Sequence, residues 1–382
     1  MTVCCRLQHQ PSRYRGAMTD APLLKDFIDR ESVEAIVSAV ATETKDVDSS
    51  AMVDAIFDDD WEDRALKQRI RHIAVSIRAY LPEDYAEALA VMRRAGAKVE
   101  TGWMSVWAFN DFVEEYGVDD PDISLPALEQ FTKLASAEFA VRPFIRRYPD
   151  RMAEQMLAWA HDPDPLVRRL ASEGYRPRLP WGMGLPQLKK DPAPILPVLT
   201  ALRTDPSEDV RRSVANNLND ISKDHPELAV DVLAEWSDDT EEMRALVKHA
   251  LRTLVKKGHA GALDLLGFSG NPQVAVGELV IAPAVIAIGG AVHLEVEVQS
   301  TAADLQPLLI DYAVTFQNAS GTGSRKVFKG KAVELEPGEG VTLRRKINLS
   351  PMTTRRIFPG PHEVEIQVNG AIRATAQFDV VE

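Results

Sequence analysis

Two stretches of this chain repeat one another at a fixed spacing. Residues 158–174 read AWAHDPDPLVRRLASEG and residues 201–217 read ALRTDPSEDVRRSVANN. Both contain Asp-Pro, a short polar spacer and Val-Arg-Arg. Asp162 and Asp205 lie 43 positions apart, and so do Arg169 and Arg212. A weaker third copy, EWSDDTEEMRALVKHAL, covers 235–251. A period near 40, with apolar residues at three- and four-residue spacing, predicts HEAT-like helix pairs. Val210, Val214, Leu218 and Ile221 supply the apolar face in the second copy. A helix pair cannot bury such a face alone, so pairs stack into an α-α superhelix with a concave binding side. The Asp-Pro step is expected to open the second helix of each pair, with Asp as cap and Pro in the first turn.

The helical pattern runs from Leu23 to about Gly270 and changes character at Asn271-Pro272. Beyond it the chain alternates, as in VHLEVEVQS and LLIDYAVTFQN, with turns at Gly289-Gly290, Pro337-Gly338, Pro359-Gly360 and Asn369-Gly370. About seven short strands predict an immunoglobulin-like β-sandwich. The expected organisation is a disordered lead over 1–20, a helical repeat domain over 21–270 and the sandwich over 271–382. The lead holds Arg6, Arg13 and Arg15 but no apolar stretch, so it is not read as a secretory signal; Met18 is an alternative start. Both cysteines, Cys4 and Cys5, fall in it. That excludes a disulfide framework and a cysteine metal site, and fits a reducing compartment. No apolar run approaches the roughly 18 residues of a membrane span. A monomer in the cytoplasm is expected.

The net charge is −13, which taken alone repels phosphates. The acids cluster early, as in Asp58, Asp59, Asp60, Glu62 and Asp63, and the arginines later, so the sum does not decide the partner. The chain has no phosphate-binding P-loop, dinucleotide-type glycine loop, nucleophile elbow or HExxH pair. The eight histidines are scattered near turns and repeat ends.

A second helical face carries polar residues. Arg169, Glu173 and Arg176 fall at i, i+4 and i+7, and Arg212, Asn216 and Asp220 at i, i+4 and i+8. Glu138 precedes Arg142 by four. Such pairs are ordinarily surface contacts worth a few tenths of a kcal/mol. Here, however, Glu173 leads into YRPRLPWGMGLP, too rich in Pro and Gly for a simple helix connection. That loop carries Arg178 and Trp181; the alternative for a loop tryptophan is to pack on the next helix.

VRRLASEGYRPRLPW, SVANNLNDISKDHP and EFAVRPFI resemble the AlkC-type DNA glycosylases of the HEAT-like alkylpurine glycosylase superfamily. DYAVTFQNASG, RKVFKGK and TTRRIFPGPHEVEIQVNG resemble the immunoglobulin-like module of a subset of that family. The resemblance implies a monofunctional glycosylase acting on cationic N-methylated bases in double-stranded DNA: 3-methyladenine, 3-methylcytosine and 1-methyladenine. It implies that Glu138, Glu173 and Asp220 are the active-site carboxylates, that Arg169, Arg176 and Trp181 assist them, and that neither metal nor nucleotide cofactor takes part. Arg169, Arg176, Arg178 and Arg212 are expected to grip phosphates, with Asn216 on the same face.

The sandwich has ten Lys and Arg against twelve Asp and Glu. Its cations gather around SRKVFKGK and TTRRIFPG, so Lys326, Lys329, Arg355 and Arg356 are read as a second DNA grip. The alternative for them is a solvated rim protecting a sheet edge. A non-catalytic HEAT scaffold or a DNA-structure-binding protein would explain the repeats equally well, but neither accounts for SEGYRPRLPW.

Overall fold

A computed structural model describes residues 23–382 apart from 46, 100–103, 269–270, 320, 322 and 352–355. The lead with Cys4, Cys5 and Met18, and also Arg355, lie outside the described residues. The described helices are α1 (Arg30–Ala41), α2 (Ser49–Ile56), α3 (Leu66–Arg78), α4 (Tyr85–Gly96), α5 (Trp107–Tyr116), α6 (Pro121–Phe131), α7 (Arg142–Arg147) and α8 (Pro149–Trp159). They continue with α9 (Pro165–Gly174), α10 (Pro186–Lys190), α11 (Leu196–Leu202), α12 (Glu208–Ile221), α13 (Pro226–Trp236), α14 (Glu241–Ala250), α15 (Arg252–Lys256) and α16 (Ala260–Leu265). Among the described residues nine strands follow from Val274, so helices give way to strands between Leu265 and Val274.

The two strong sequence copies are α8–α9 and α11–α12. Helix α9 lies against both α8 and α12, and α11 against α12. Val210, Val214, Leu218 and Ile221 are all buried, as the periodicity predicts. Each such side chain contributes about 1.5–3 kcal/mol of burial. The last residue of α9 is Gly174, where a Cβ would lie 2.6 Å from the Val141 side chain.

The Asp-Pro step that opens α9 is Asp164-Pro165, with Asp as cap and Pro in the first turn as expected, whereas Asp162-Pro163 and Asp205-Pro206 do something other than cap. Helix α9 starts at Pro165 with Asp164 as its cap, and α12 at Glu208 after Ser207. Asp162 and Asp205 sit farther out and accept from the backbone N–H two residues on, at 2.7 and 2.8 Å. A residue before proline is held extended, which suits a side-chain turn as well as a helix cap. The first arginine of each Val-Arg-Arg then closes the turn. Arg168 donates to the carbonyls of Asp162 and Pro163 at 3.0 and 2.9 Å. Arg211 does the same to Asp205 and Pro206 at 2.6 and 3.1 Å. Arg168 also grips Asp205 of the next copy through two bonds, at 2.6 and 3.0 Å. The repeated motif is therefore a structural lock, which leaves the second arginine of each copy for another task.

The chain divides into two compact units, one to Asp224 and one from His225. In the second, α13–α16 group with the sandwich. The turn between α15 and α16 meets the turn at Asn369-Gly370. Gly258 and Gly370 both have positive φ, and a Cβ on Gly258 would lie 2.8 Å from the Gly370 carbonyl oxygen. Only glycine allows backbones this close.

The sandwich has a sheet in which β4 (Ala291–Ser300) pairs along one edge with β1 (Val274–Val276) and β2 (Val280–Ala282), and along the other with β7 (Gly340–Asn348). The facing sheet runs β3 (Val285–Ala287), β9 (Ala371–Val381), β8 (Gly360–Val368), β5 (Gln306–Phe316) and β6 (Ser324–Leu335). Alternate residues Val292, Leu294, Val296 and Val298 meet Ile310, Val364 and Ile366 in its core. The count exceeds seven because β1, β2 and β3 are three-residue strands.

Candidate active site

Six charged side chains of alternating sign form one row across α7–α9 and α12. Glu138 stands in the turn before α7. Its carboxylate accepts from the Ser136 hydroxyl at 2.7 Å and from Arg169 Nη1 at 2.9 Å. Arg169 on α9 also lies 4.0 Å from Glu173 Oε1. Glu173, in the last turn of α9, accepts from Arg176 Nη1 at 2.7 Å and from the Ser213 hydroxyl at 2.6 Å. Arg176 turns its Nε to Asp220 Oδ2 at 2.9 Å. Asp220, in the last turn of α12, accepts from Lys223 Nζ at 2.9 Å as well. Glu173 and Asp220 are 5% and 1% exposed, so these are interior ion pairs and not the surface pairs that spacing alone suggests.

The row explains how carboxylates can stay ionised in the interior. Burial opposes charge on Glu173, but Arg169, Arg176 and the Ser213 hydroxyl outweigh it and hold the carboxyl below the usual glutamate range. Burial likewise opposes charge on Arg169, and Glu138 and Glu173 reverse it.

The loop after α9 is fixed from beneath. Arg142, fully buried at the start of α7, donates to the carbonyls of Gly174 and Arg176 at 2.9 Å each, and to that of Met183. Burial, and Arg176 alongside, push its guanidinium down to about 10. Arg142 therefore holds the loop and does not pair with Glu138 through a hydrogen bond, contrary to its four-residue spacing. Arg176 lies beyond the end of α9, because the chain leaves the helix at Gly174. Trp181, at the loop tip, is 64% exposed with φ +62°. A bulky residue in the left-handed region is strained, and the surroundings must impose it. Trp181 is largely presented to solvent, and its backbone carbonyl accepts from Lys67 Nζ at 3.3 Å.

The remaining expected residues divide by exposure. Arg212 is exposed, Asn216 is half-buried, and Arg178 is half-buried and bonded to Asp224 at 2.6 Å. Lys326 and Lys329 are exposed on β6, an edge strand of its sheet, and Arg356 is exposed in the approach to β8. Lys326 caps the Phe328 ring at 5.3 Å. Arg325 is tied to Glu365 at 2.7 Å. Among the described residues no group of His, Cys, Asp and Glu suits a metal ion, and no helix is long and apolar enough to cross a membrane.

Residues 134–254 match the family described as DNA alkylation repair enzyme. Residues 275–382 match the family described as the C-terminal Ig-like domain of the uncharacterised protein YhaZ. YhaZ of Bacillus subtilis (strain 168) is 37% identical over 357 residues, 94% of this chain and 99% of that protein. The alkylpurine DNA glycosylase AlkC of Pseudomonas fluorescens, solved bound to DNA containing an abasic site analog, is 35% identical with a TM-score of 0.89. That similarity covers 94% of this chain and all of AlkC. The chain belongs to the AlkC-type DNA glycosylase family. The expected helical array followed by an immunoglobulin-like domain is borne out.

Sequence reasoning missed four residues that shape this AlkC-type site. Ser213 directly follows the second Val-Arg-Arg, a signal that was open to reading. Lys223 is three residues after Asp220, an ordinary helical spacing. Arg142 and Lys67 carry no local signal. Their partners are backbone carbonyls: Arg142 binds residues 32 to 41 positions away, and Lys67 reaches Trp181 across 114.

Proposed function

We propose that this chain hydrolyses the N-glycosidic bond of cationic N-methylated bases in double-stranded DNA, as a cytoplasmic monomer. Its substrates are 3-methyladenine, 3-methylcytosine and 1-methyladenine. The observation that carries the reading is the pair of buried carboxylates, Glu173 and Asp220, joined through Arg176. A base methylated on a ring nitrogen is already a good leaving group. When the C1′–N bond breaks, the electron pair stays on the base, which departs neutral, and positive charge develops on the sugar. Water then adds to C1′ and loses a proton. The chemistry therefore calls for fixed negative charge and a proton acceptor, and needs neither metal nor nucleotide cofactor.

In this reading Glu173 and Asp220 face the developing charge on the sugar, and Glu138 completes the row. Arg169 and Arg176 keep Glu173 ionised, and their hydrogen bonds orient Glu138, Glu173 and Asp220. Phosphates then fall chiefly to Arg212 and Arg178, with Lys326, Lys329, Arg355 and Arg356 of the sandwich as a second grip. Trp181 stacks on the cationic base or the sugar. The test is release of free base from three separate duplexes carrying 3-methyladenine, 3-methylcytosine or 7-methylguanine. Release from the first two is expected. Absence of release from all three, by protein that still binds the duplex, would leave a DNA-binding protein without glycosylase activity.

A further inference from the structure

The loop after α9 reverses direction on an unfavourable residue. The Gly182 N–H donates to the Leu179 carbonyl at 3.1 Å, which closes a four-residue turn over Leu179, Pro180, Trp181 and Gly182. Proline in the second position fixes a negative φ there, and Trp181 in the third has φ +62°. That combination is a type II turn, whose third position ordinarily takes glycine or asparagine. A tryptophan in this place carries a backbone penalty, and at 64% exposure it recovers little of it through burial. The local sequence therefore works against the conformation that the loop adopts.

Two cations from outside the loop hold it. The buried Arg142 guanidinium donates to the carbonyls of Gly174 and Arg176 where the chain enters, and to that of Met183 where it leaves. One rigid group thus grips the chain on both sides of the turn. Lys67 on α3 acts on the turn itself. Its ammonium lies 4.4 Å from the Phe139 ring centre and donates to the Trp181 carbonyl at 3.3 Å. The direction of that carbonyl is set by the Trp181 ψ, so this bond fixes the torsion next to the strained φ. Both anchors also register the loop against the carboxylate row. Phe139 directly follows Glu138, and Arg176 is the cation between Glu173 and Asp220.

We propose that Lys67 and Arg142 are positioning residues, which hold Trp181 in its strained conformation before DNA arrives. The proposal rests on the glycosylase reading, in which Trp181 stacks on the base or the sugar. A loop free to relax would have to be ordered anew at each encounter. A preset ring gives up little conformational freedom when the lesion meets it. Neither cation needs to touch the reacting atoms; each acts through the tryptophan.

Lys67 is exposed and can be changed without disturbing packing, whereas Arg142 is fully buried. Lys67→Met keeps the stem beside Phe139 and removes the donor. Single-turnover release of 3-methyladenine at saturating duplex is expected to fall about fivefold to tenfold, and Lys67→Arg to recover most of it. In a Trp181→Ala background, Lys67→Met should add no further loss, because the residue it acts through is gone. Without DNA, backbone hydrogen exchange across residues 177–185 should quicken in Lys67→Met and slow again in Lys67→Arg. Trp181→Gly should unfold at a higher temperature than Trp181→Ala, since only glycine relieves the turn. A loss confined to DNA affinity, or an undiminished further loss in the Trp181→Ala background, would make Lys67 a phosphate contact and overturn the proposal. The reverse order of the two Trp181 variants would overturn the strain. If the wild-type chain releases no base while exchange responds to Lys67 as expected, the glycosylase reading falls and the positioning stands. If wild type and Lys67→Met release base alike and exchange alike, only the positioning falls.

Discussion

Glu173 on α9 and Glu114 on α5 are both largely buried glutamates on helices of the same array, yet they titrate in opposite directions. Glu173 is held below the usual range and Glu114 above it. Burial opposes charge on both. The difference lies in what reaches them. Glu173 receives Arg176 at 2.7 Å, the Ser213 hydroxyl at 2.6 Å and Arg169 at 4.0 Å. Glu114 has Arg71 at 3.6 Å, a guanidinium it shares with Asp111 and Glu115. Depth alone therefore does not decide whether an acid works as an anion. The number of fixed donors decides: Arg169 and Arg176 flank Glu173, and the next copy of the repeat adds the Ser213 hydroxyl.

The strongest way to break this comparison is to remove the central cation. Arg176→Met leaves two interior carboxylates without the guanidinium between them. It is expected to cost about 3–5 kcal/mol in urea unfolding. Arg71→Met should cost clearly less, because Arg71 is 35% exposed and two of its carboxyl partners, Asp111 and Glu114, are already inclined to take a proton. Equal losses would mean that the two clusters do not differ as described.

Glu173→Gln and Asp220→Asn should each lower single-turnover base release by about 10² or more, with unchanged circular dichroism. Near-normal release by both variants would remove these carboxylates from the chemistry.

The pH dependence of stability separates the clusters further. Glu173 has a lowered folded value, so its contribution is complete above its unfolded value of 4.5 and is lost as pH falls through the folded one. Glu114 has a raised folded value, so its contribution is complete below 4.5 and is lost as pH rises through the folded one. Thermal unfolding between about pH 3 and 7 should therefore lose acid-side dependence in Glu173→Gln, and show a shallower decline above pH 4.5 in Glu114→Gln. The same slope change in both variants would refute the assignment.

The smallest effect concerns exposed cations. DNA affinity should fall with salt at a slope of about −0.9 per phosphate neutralised. Arg212→Ala should flatten the slope by about one unit, and Lys326→Ala with Lys329→Ala by about two. An unchanged slope in both would place the duplex elsewhere.

Much of this was readable in advance because it is local. The spacing of 43 residues predicted paired helices, and the shift to alternation near Asn271 predicted strands. The face shared by Arg169 and Glu173 follows from helical geometry, and the loop after Glu173 stood out by its Pro and Gly content. Asp162 misled because an Asp-Pro step serves a helix cap and a side-chain turn equally well, and only the arginine six residues later selects the turn. Arg142 gave no sign of its role, since carbonyl oxygens are the same in every residue.

The sequence alone determined which elements form and which charged residues share a face, since those depend on neighbours within one or two helical turns. The tertiary structure decided the rest. It added Ser213, from 40 positions away, to the arginines around Glu173, set Arg176 between Glu173 and Asp220, turned the Trp181 backbone left-handed, and left the Trp107 indole N–H and the Asn110 side-chain oxygen buried without a partner. Ionisation, strain and an unmade hydrogen bond are properties of surroundings assembled from distant segments, and no local pattern encodes them.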